Sequence, residues 1–368
     1  MSCDFRALAT PGVQKLTPYQ TGKPEEELQR ELGLSRVVKL ASNENPLGPG
    51  RAALHAARKA LESMHRYPDG AGFYLKQALH ETLGVAPTCI TLGNGSNDVL
   101  ELIARAFTLP GDEIVFSEHA FAVYPLATLA CSAVPVAVPA RLFGHDLEAM
   151  AAAVTERTRV IFVANPNNPT GTWFHRHALE SFLEQVPERV VVVLDEAYFE
   201  YVQETDYPNG LDYLSRFPNL VVTRTFSKIH GLAGLRIGYG ISSEAIADVL
   251  NRVRQPFNAN APALAAAQAA LADESYVRDS RDLNTAGLAQ LAEGLQARDL
   301  HFIPSVANFL CFDCGAPAEP LYRQLLAKGI IVRPVAGYGL PNHLRVSVGL
   351  AEENAAFLAA LDEVRADG

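Results

Sequence analysis

Leu220-Val221-Val222-Thr223-Arg224-Thr225-Phe226-Ser227-Lys228-Ile229-His230-Gly231-Leu232-Ala233-Gly234-Leu235-Arg236-Ile237-Gly238 opens as an apolar run of β-branched type and closes as a glycine-rich turn. Lys228 stands between the two, with Ser227 before it and Arg236 eight residues on. A lysine directly after a buried strand packs poorly, because burial strips water from its ammonium. The position suits an amine that must form a Schiff base with a carbonyl. Strand, reactive lysine, turn: the stretch calls for a fold that puts chemistry at strand ends.

The rest of the chain supplies such strands. From about residue 85 to 250, strand and helix patterns alternate. Segments 89–92, 113–116, 134–138, 159–163 and 190–194 read as strands, and 97–107 and 124–130 as helices. Val99, Leu100, Ile103, Ala106 and Phe107 share the apolar face of the first helix. Segments 159–163 and 190–194 are continuously apolar, as strands covered on both faces must be. The alternation implies an α/β fold with a mainly parallel sheet between helices, and ligands beyond the carboxyl ends of its strands. Residues 1–38 read as an arm with a short helix at 24–32, 39–252 as a large domain, and 253–368 as a smaller α+β domain. In the last, helices are expected at 262–272 and 274–298, strands at 307–312, 330–332 and 343–348, and a terminal helix from 351.

Composition excludes several classes of function. The formal charge is -10 and no Lys/Arg run occurs, which argues against a nucleic-acid partner. A local cluster of arginines can still receive a small anion. No stretch approaches the ~18 apolar residues of a membrane span, and the first thirty residues contain no signal-peptide core. The five cysteines are odd in number and scattered, and Cys311-x-x-Cys314 lacks a second pair at zinc spacing. The ten histidines show no metal spacing either. The expectation is a reduced, cytoplasmic protein without a metal site.

Three further motifs follow strand ends. Thr91-Leu92-Gly93-Asn94-Gly95-Ser96-Asn97-Asp98 is a glycine loop leading into a helix, whose N-terminal N–H groups suit a phosphate. It is neither a Walker A loop nor a good dinucleotide fingerprint, and a plain N-cap at Ser96 explains it equally well. Asn165-Pro166-Asn167-Asn168-Pro169-Thr170-Gly171 is a turn whose asparagines can donate to a ring oxygen. In Asp195-Glu196-Ala197-Tyr198 a carboxylate lies just past a buried strand, where it needs a partner: a metal, an arginine or a protonated pyridine nitrogen.

Taken together, in this order and spacing, the glycine loop, N-P-T-G, D-E-A-Y, S-K and G-L-R-x-G resemble the fold-type I, aspartate-aminotransferase-like enzymes that use pyridoxal 5'-phosphate. The resemblance spans nearly the whole chain. It implies a mostly parallel seven-stranded sheet in a large domain, plus a smaller α+β domain. It also implies roles for residues. Lys228 would carry the cofactor and, once freed, move the substrate proton. Asp195 would hold the pyridine nitrogen protonated, and Asn168 and Tyr198 would hydrogen-bond the ring oxygen. Ser96, Asn97, Ser227 and Arg236 would hold the phosphate, and Phe121 would stack on the ring where relatives usually carry tyrosine. Tyr67 matches a residue that reaches the phosphate of a neighbouring subunit, which implies a homodimer with shared sites. Arg345 matches an arginine that forks onto the donor's α-carboxylate, and Tyr19, Asn45 and Arg333 fall on the substrate side.

Residues 42–49, 66–69 and 253–258 are similar to the branch of this family that acts on histidinol phosphate. The implied reaction moves an amino group from L-glutamate to imidazole acetol phosphate in L-histidine biosynthesis, reversibly, histidinol phosphate reacting with 2-oxoglutarate. Aromatic amino-acid aminotransferases and the phosphothreonine decarboxylase of cobalamin biosynthesis share the cofactor site and stand as alternatives. A non-catalytic regulator on the same fold would carry a basic helix-turn-helix extension. Here the arm before Val37 is short and has no excess of basic residues, and the lysine is kept.

Overall fold

The computed structural model describes residues 3–18 and 22–366. Thirteen strands are assigned among them: β1 Val38–Lys39, β2 Ile90–Gly93, β3 Glu113–Ser117, β4 Val134–Val138, β5 Thr158–Ala164, β6 Val191–Asp195, β7 Leu220–Thr225, β8 Gly238–Ile241, β9 Phe302–Ile303, β10 Phe309–Asp313, β11 Ile330–Ile331, β12 Arg333–Pro334 and β13 His343–Ser347. Seven of them form the main sheet in the order β2-β8-β7-β6-β5-β3-β4. Only β8 runs against the others, antiparallel to both β2 and β7. The carboxyl ends of the other six therefore share one edge of the sheet, and β8 begins there, Gly238 facing both Gly93 and Thr225.

The continuously apolar strands bury two faces, one residue in two to each. Val160, Phe162, Val191, Val193 and Val221 face the helix Ser96–Phe107, meeting its Val99, Leu100 and Ile103. Ile161, Val163, Val192, Leu194 and Val222 face the opposite way, toward Leu179, Phe182 and Leu183 of the helix Arg176–Gln185. At about 1.5–3 kcal/mol for each large side chain, this double burial is what keeps the strand ends rigid.

The C-terminal part builds a four-stranded antiparallel sheet, β12-β13-β10-β9. It is packed against the helices Glu274–Gln296 and Ala351–Ala366 through Leu291, Leu295, Phe357 and Leu361. β1 pairs with β11, and Val38 and Leu40 join the same core, so β1 straddles position 38/39. The first long helix is Arg51–Leu61. Several elements, the helix Arg176–Gln185 among them, go beyond the sequence reading. The helix Phe73–Leu83 lies between Gly72 and Gly84, both left-handed. The glycine-rich segment after Arg236 becomes β8. Among the described residues no helix is long and apolar enough to cross a membrane, and no group of three His, Cys, Asp or Glu side chains is placed to hold a metal ion.

Candidate active site

A cavity of about 200 Å³ opens beyond the common edge of the large sheet. Lys228 lies at the turn after β7 and reaches into it. Its Nζ donates to the Ser42 carbonyl at 3.1 Å and sits 5.7 Å from the centre of the Tyr198 ring. Gly231 (φ 67) passes so close to the neighbouring loop that a Cβ there would lie 2.2 Å from the Gly48 carbonyl oxygen. That close passage fixes the turn carrying the lysine. Burial first, then the Arg345 and Arg236 cations, push the Lys228 amine down to about 7.

Asp195 ends β6 and is buried. Its Oδ2 accepts from the Tyr124 hydroxyl at 2.9 Å and its Oδ1 from Thr223 at 3.0 Å. Burial raises its pKa, and the hydroxyl donors oppose that rise. The arginine on the neighbouring strand is committed elsewhere: Arg224 donates to Glu196 at 2.7 and 2.9 Å. Of the partners weighed for Asp195, a protonated ring nitrogen in the cavity fits best, since Asp195 lines that space.

Asn168 and Tyr198 form the wall beside it. Arg345 Nη1 donates to Asn168 Oδ1 at 2.5 Å, which leaves the amide nitrogen as the group to offer a ligand. Asn43 Nδ2 donates to the Tyr198 oxygen at 2.9 Å. Burial pushes the Tyr198 phenol up to about 12, so it stays a protonated donor at neutral pH. Of the adjacent asparagines, Asn167 turns away and bonds His119 O and Thr170 Oγ1.

An anion cradle closes the far side. Gly95 (φ 81) is the N-cap of the helix Ser96–Phe107, so Ser96 is its first residue and its N–H is not needed within the helix. Arg236 (φ 57) donates to Ser227 Oγ at 3.2 Å. A Cβ at Gly95 would lie 2.3 Å from Arg236 Nη2, and one at Gly238 would lie 2.4 Å from Ser96 N. The two glycines thus let backbone N–H groups and a guanidinium converge on one point, as a phosphate requires. Lys228, Arg236, Arg333 and Arg345 line the cavity against the single acid Asp195, so this acidic chain carries a cationic site. The half-buried ring of Phe121 adds an aromatic face, meeting Tyr124 edge-on at 5.9 Å. Phosphate cradle, aromatic face, buried carboxylate and low-pKa lysine together match the chemistry of pyridoxal 5'-phosphate.

Several expected residues lie elsewhere. Asn45 is buried, but its Nδ2 donates to Ile229 O at 2.7 Å and Ser280 Oγ at 2.9 Å, anchoring the lysine's loop and not lining the cavity. Tyr67 is 83% exposed and stacks on Phe257 at 4.7 Å, outside this chain's cavity. Tyr19 falls outside the described residues. Tyr124, Thr223 and Asn43 are contacts of the site that the sequence reading passed over. Only Tyr124 carried a signal, an aromatic residue three positions after Phe121.

Such a sheet, with a lysine and a carboxylate at neighbouring strand ends, is built for an enzyme that works on amines through a pyridoxal cofactor. The sequence matches the family model "Aminotransferase class I and II" over residues 35–361, and the chain belongs to that family. It is 60% identical, over the whole of both chains, to histidinol-phosphate aminotransferase 2 of Pseudomonas fluorescens (strain Pf0-1). It is 61% identical over 365 residues to the enzyme of the same name from Pseudomonas aeruginosa, covering 99% of each. Its fold superposes with a TM-score of 0.91 on the crystal structure of histidinol-phosphate aminotransferase from Sinorhizobium meliloti in complex with pyridoxal-5'-phosphate, at 31% identity and 98% coverage of both chains.

Proposed function

We propose that this chain is a pyridoxal-phosphate-dependent histidinol-phosphate transaminase that moves an amino group between L-glutamate and imidazole acetol phosphate in L-histidine biosynthesis. The observation that carries the reading is the joint placement of Lys228, Asp195 and the Gly95–Arg236 cradle around one cavity. When bound, the cofactor supplies an aldehyde for amines and a ring that withdraws electrons from the amine-bearing carbon. The protein does the rest. Ser96, Asn97, Ser227 and Arg236 bind the phosphate, and Phe121 covers the ring face. Asp195 holds a proton on the ring nitrogen, because a buried carboxylate favours a cation beside it. Asn168 and Tyr198 donate to the ring oxygen. Lys228, whose amine burial disfavours as a cation, is the base that takes the proton from the substrate's amine-bearing carbon. Arg345 forks onto the glutamate carboxylate, and Arg333 receives the phosphate of histidinol phosphate.

The enzyme works as a cytoplasmic homodimer in this reading. Support comes from five exposed apolar side chains close together in the sequence, Leu61, Met64, Tyr67, Phe73 and Tyr74, which a second copy would cover. Tyr67 would reach the partner's cofactor phosphate from there.

The test is a screen of single half-reactions. Histidinol phosphate and glutamate should each convert the visible band of the holoenzyme to the amine form. Faster conversion by phenylalanine, or release of carbon dioxide from O-phosphothreonine, would overturn the substrate. Borohydride should fix the cofactor to the peptide containing Lys228, and a label on another lysine would overturn the site.

A further inference from the structure

Asn43 ties together several of the groups around the cavity. It is 1% exposed and holds a left-handed backbone (φ 53). Asparagine tolerates that conformation better than most residues. Its backbone N–H donates to Ser347 Oγ at 2.9 Å, and its carbonyl accepts from Asn308 Nδ2 at 3.1 Å. Its side chain has two ends. Oδ1 accepts from Ser347 Oγ at 2.9 Å, and Nδ2 donates to the Tyr198 oxygen at 2.9 Å.

The orientation of the Asn43 amide sets the direction of these bonds. Ser347 Oγ accepts the Asn43 N–H with one lone pair and donates its own hydrogen to Oδ1, the amide end turned toward it. With Oδ1 spent on Ser347, only the NH₂ end of the amide can face Tyr198. The phenol oxygen receives that hydrogen, and its own hydrogen is left to point elsewhere. Tyr198 lines the cavity, so elsewhere is the ligand. We propose that Asn43 is a positioning residue that aims the Tyr198 hydroxyl, acting as the middle of a one-way relay Ser347 → Asn43 → Tyr198 → ring oxygen. The relay runs from β13 of the C-terminal sheet to the end of β6 of the large one. It rests on Tyr198 acting on the cofactor ring as proposed above.

The test is the Asn43→Asp variant of the holoenzyme. Aspartate has nearly the same shape and tolerates the same backbone, but it can only accept. Tyr198 would then donate to the new carboxylate and turn away from the ring oxygen. The expected result is a rise of about one pH unit in the titration midpoint of the bound cofactor's visible band, the worth of one charge-assisted hydrogen bond. Tyr198→Phe should raise the midpoint similarly, and adding N43D to Y198F should raise it no further. A further rise in the Y198F background would mean that the new charge acts directly, and would overturn the relay. Ser347→Ala is the second variant. It frees the amide to rotate and should move the midpoint in the same direction, less far, and only when Tyr198 is present. If Y198F itself leaves the midpoint unmoved, the role given to Tyr198 falls. If Y198F moves it while N43D and S347A do not, the relay alone falls.

Discussion

Burial gives Lys228 its chemistry, and burial also has a thermodynamic signature. Its folded pKa of about 7 lies below the ordinary lysine value of 10.5. Between those two values the unfolded chain holds the proton and the folded chain does not. Stability of the cofactor-free protein from this group therefore rises with pH through that window. Melting at pH 7 and 9 should show the rise, and Lys228→Met should remove this part of it. The same amine should take up pyridoxal phosphate faster as pH rises through about 7, which stopped-flow absorbance would follow. Arg345 offers a second check. Its Nη1 holds Asn168, so Arg345→Ala should slow both substrates by a common factor. Glutamate alone should lose about a further 10- to 100-fold in kcat/KM, because only it presents an α-carboxylate to the guanidinium. Equal losses for both substrates would remove that role.

Between β6 and β7, one step from Asp195, lies a buried ion pair. Glu196 is 0% and Arg224 3% exposed, and the guanidinium also lies 3.6 Å over the Phe199 ring. Glu196→Ala would leave that cation buried and unpaired, so a loss of about 3–5 kcal/mol in urea unfolding is expected. Replacing Arg224 with methionine in the same chain should recover part of it. This scale is also where the sequence was most and least readable. Asp195, Asn168 and Lys228 were legible because each follows an apolar strand, and polar groups there demand a reason. β8 was not, because Gly238-Tyr239-Gly240-Ile241 has the composition of a turn and becomes a strand only between β2 and β7. Phe73–Leu83 buries only Leu75 and Leu79, too few positions to mark a face. Asn43 and Tyr124 act through partners 155 and 71 residues away, a distance no local pattern spans.

For the whole molecule, the proposed sharing of active sites between two copies is tested by mixing. Lys228→Ala and Tyr67→Ala proteins should each be weak alone. Dissociated and reassociated together, they should regain activity, because one site of each mixed dimer then has both residues intact. No recovery after confirmed subunit exchange would place Tyr67 outside the partner's site.

The run Ala41-Ser42-Asn43 crosses between the two sheets and touches Arg345, Lys228 and Tyr198 in turn. The first two contacts are made by main-chain oxygens, Ala41 O at 2.7 Å and Ser42 O at 3.1 Å. Side-chain identity at 41 and 42 is therefore nearly irrelevant to them. Ser42→Ala should therefore pass in silence, whereas Ala41, buried against Leu28 and Ile331, is held small by packing and not by its contact with the arginine. Only a change in the backbone itself, such as Ser42→Pro, would reach the lysine and the arginine together.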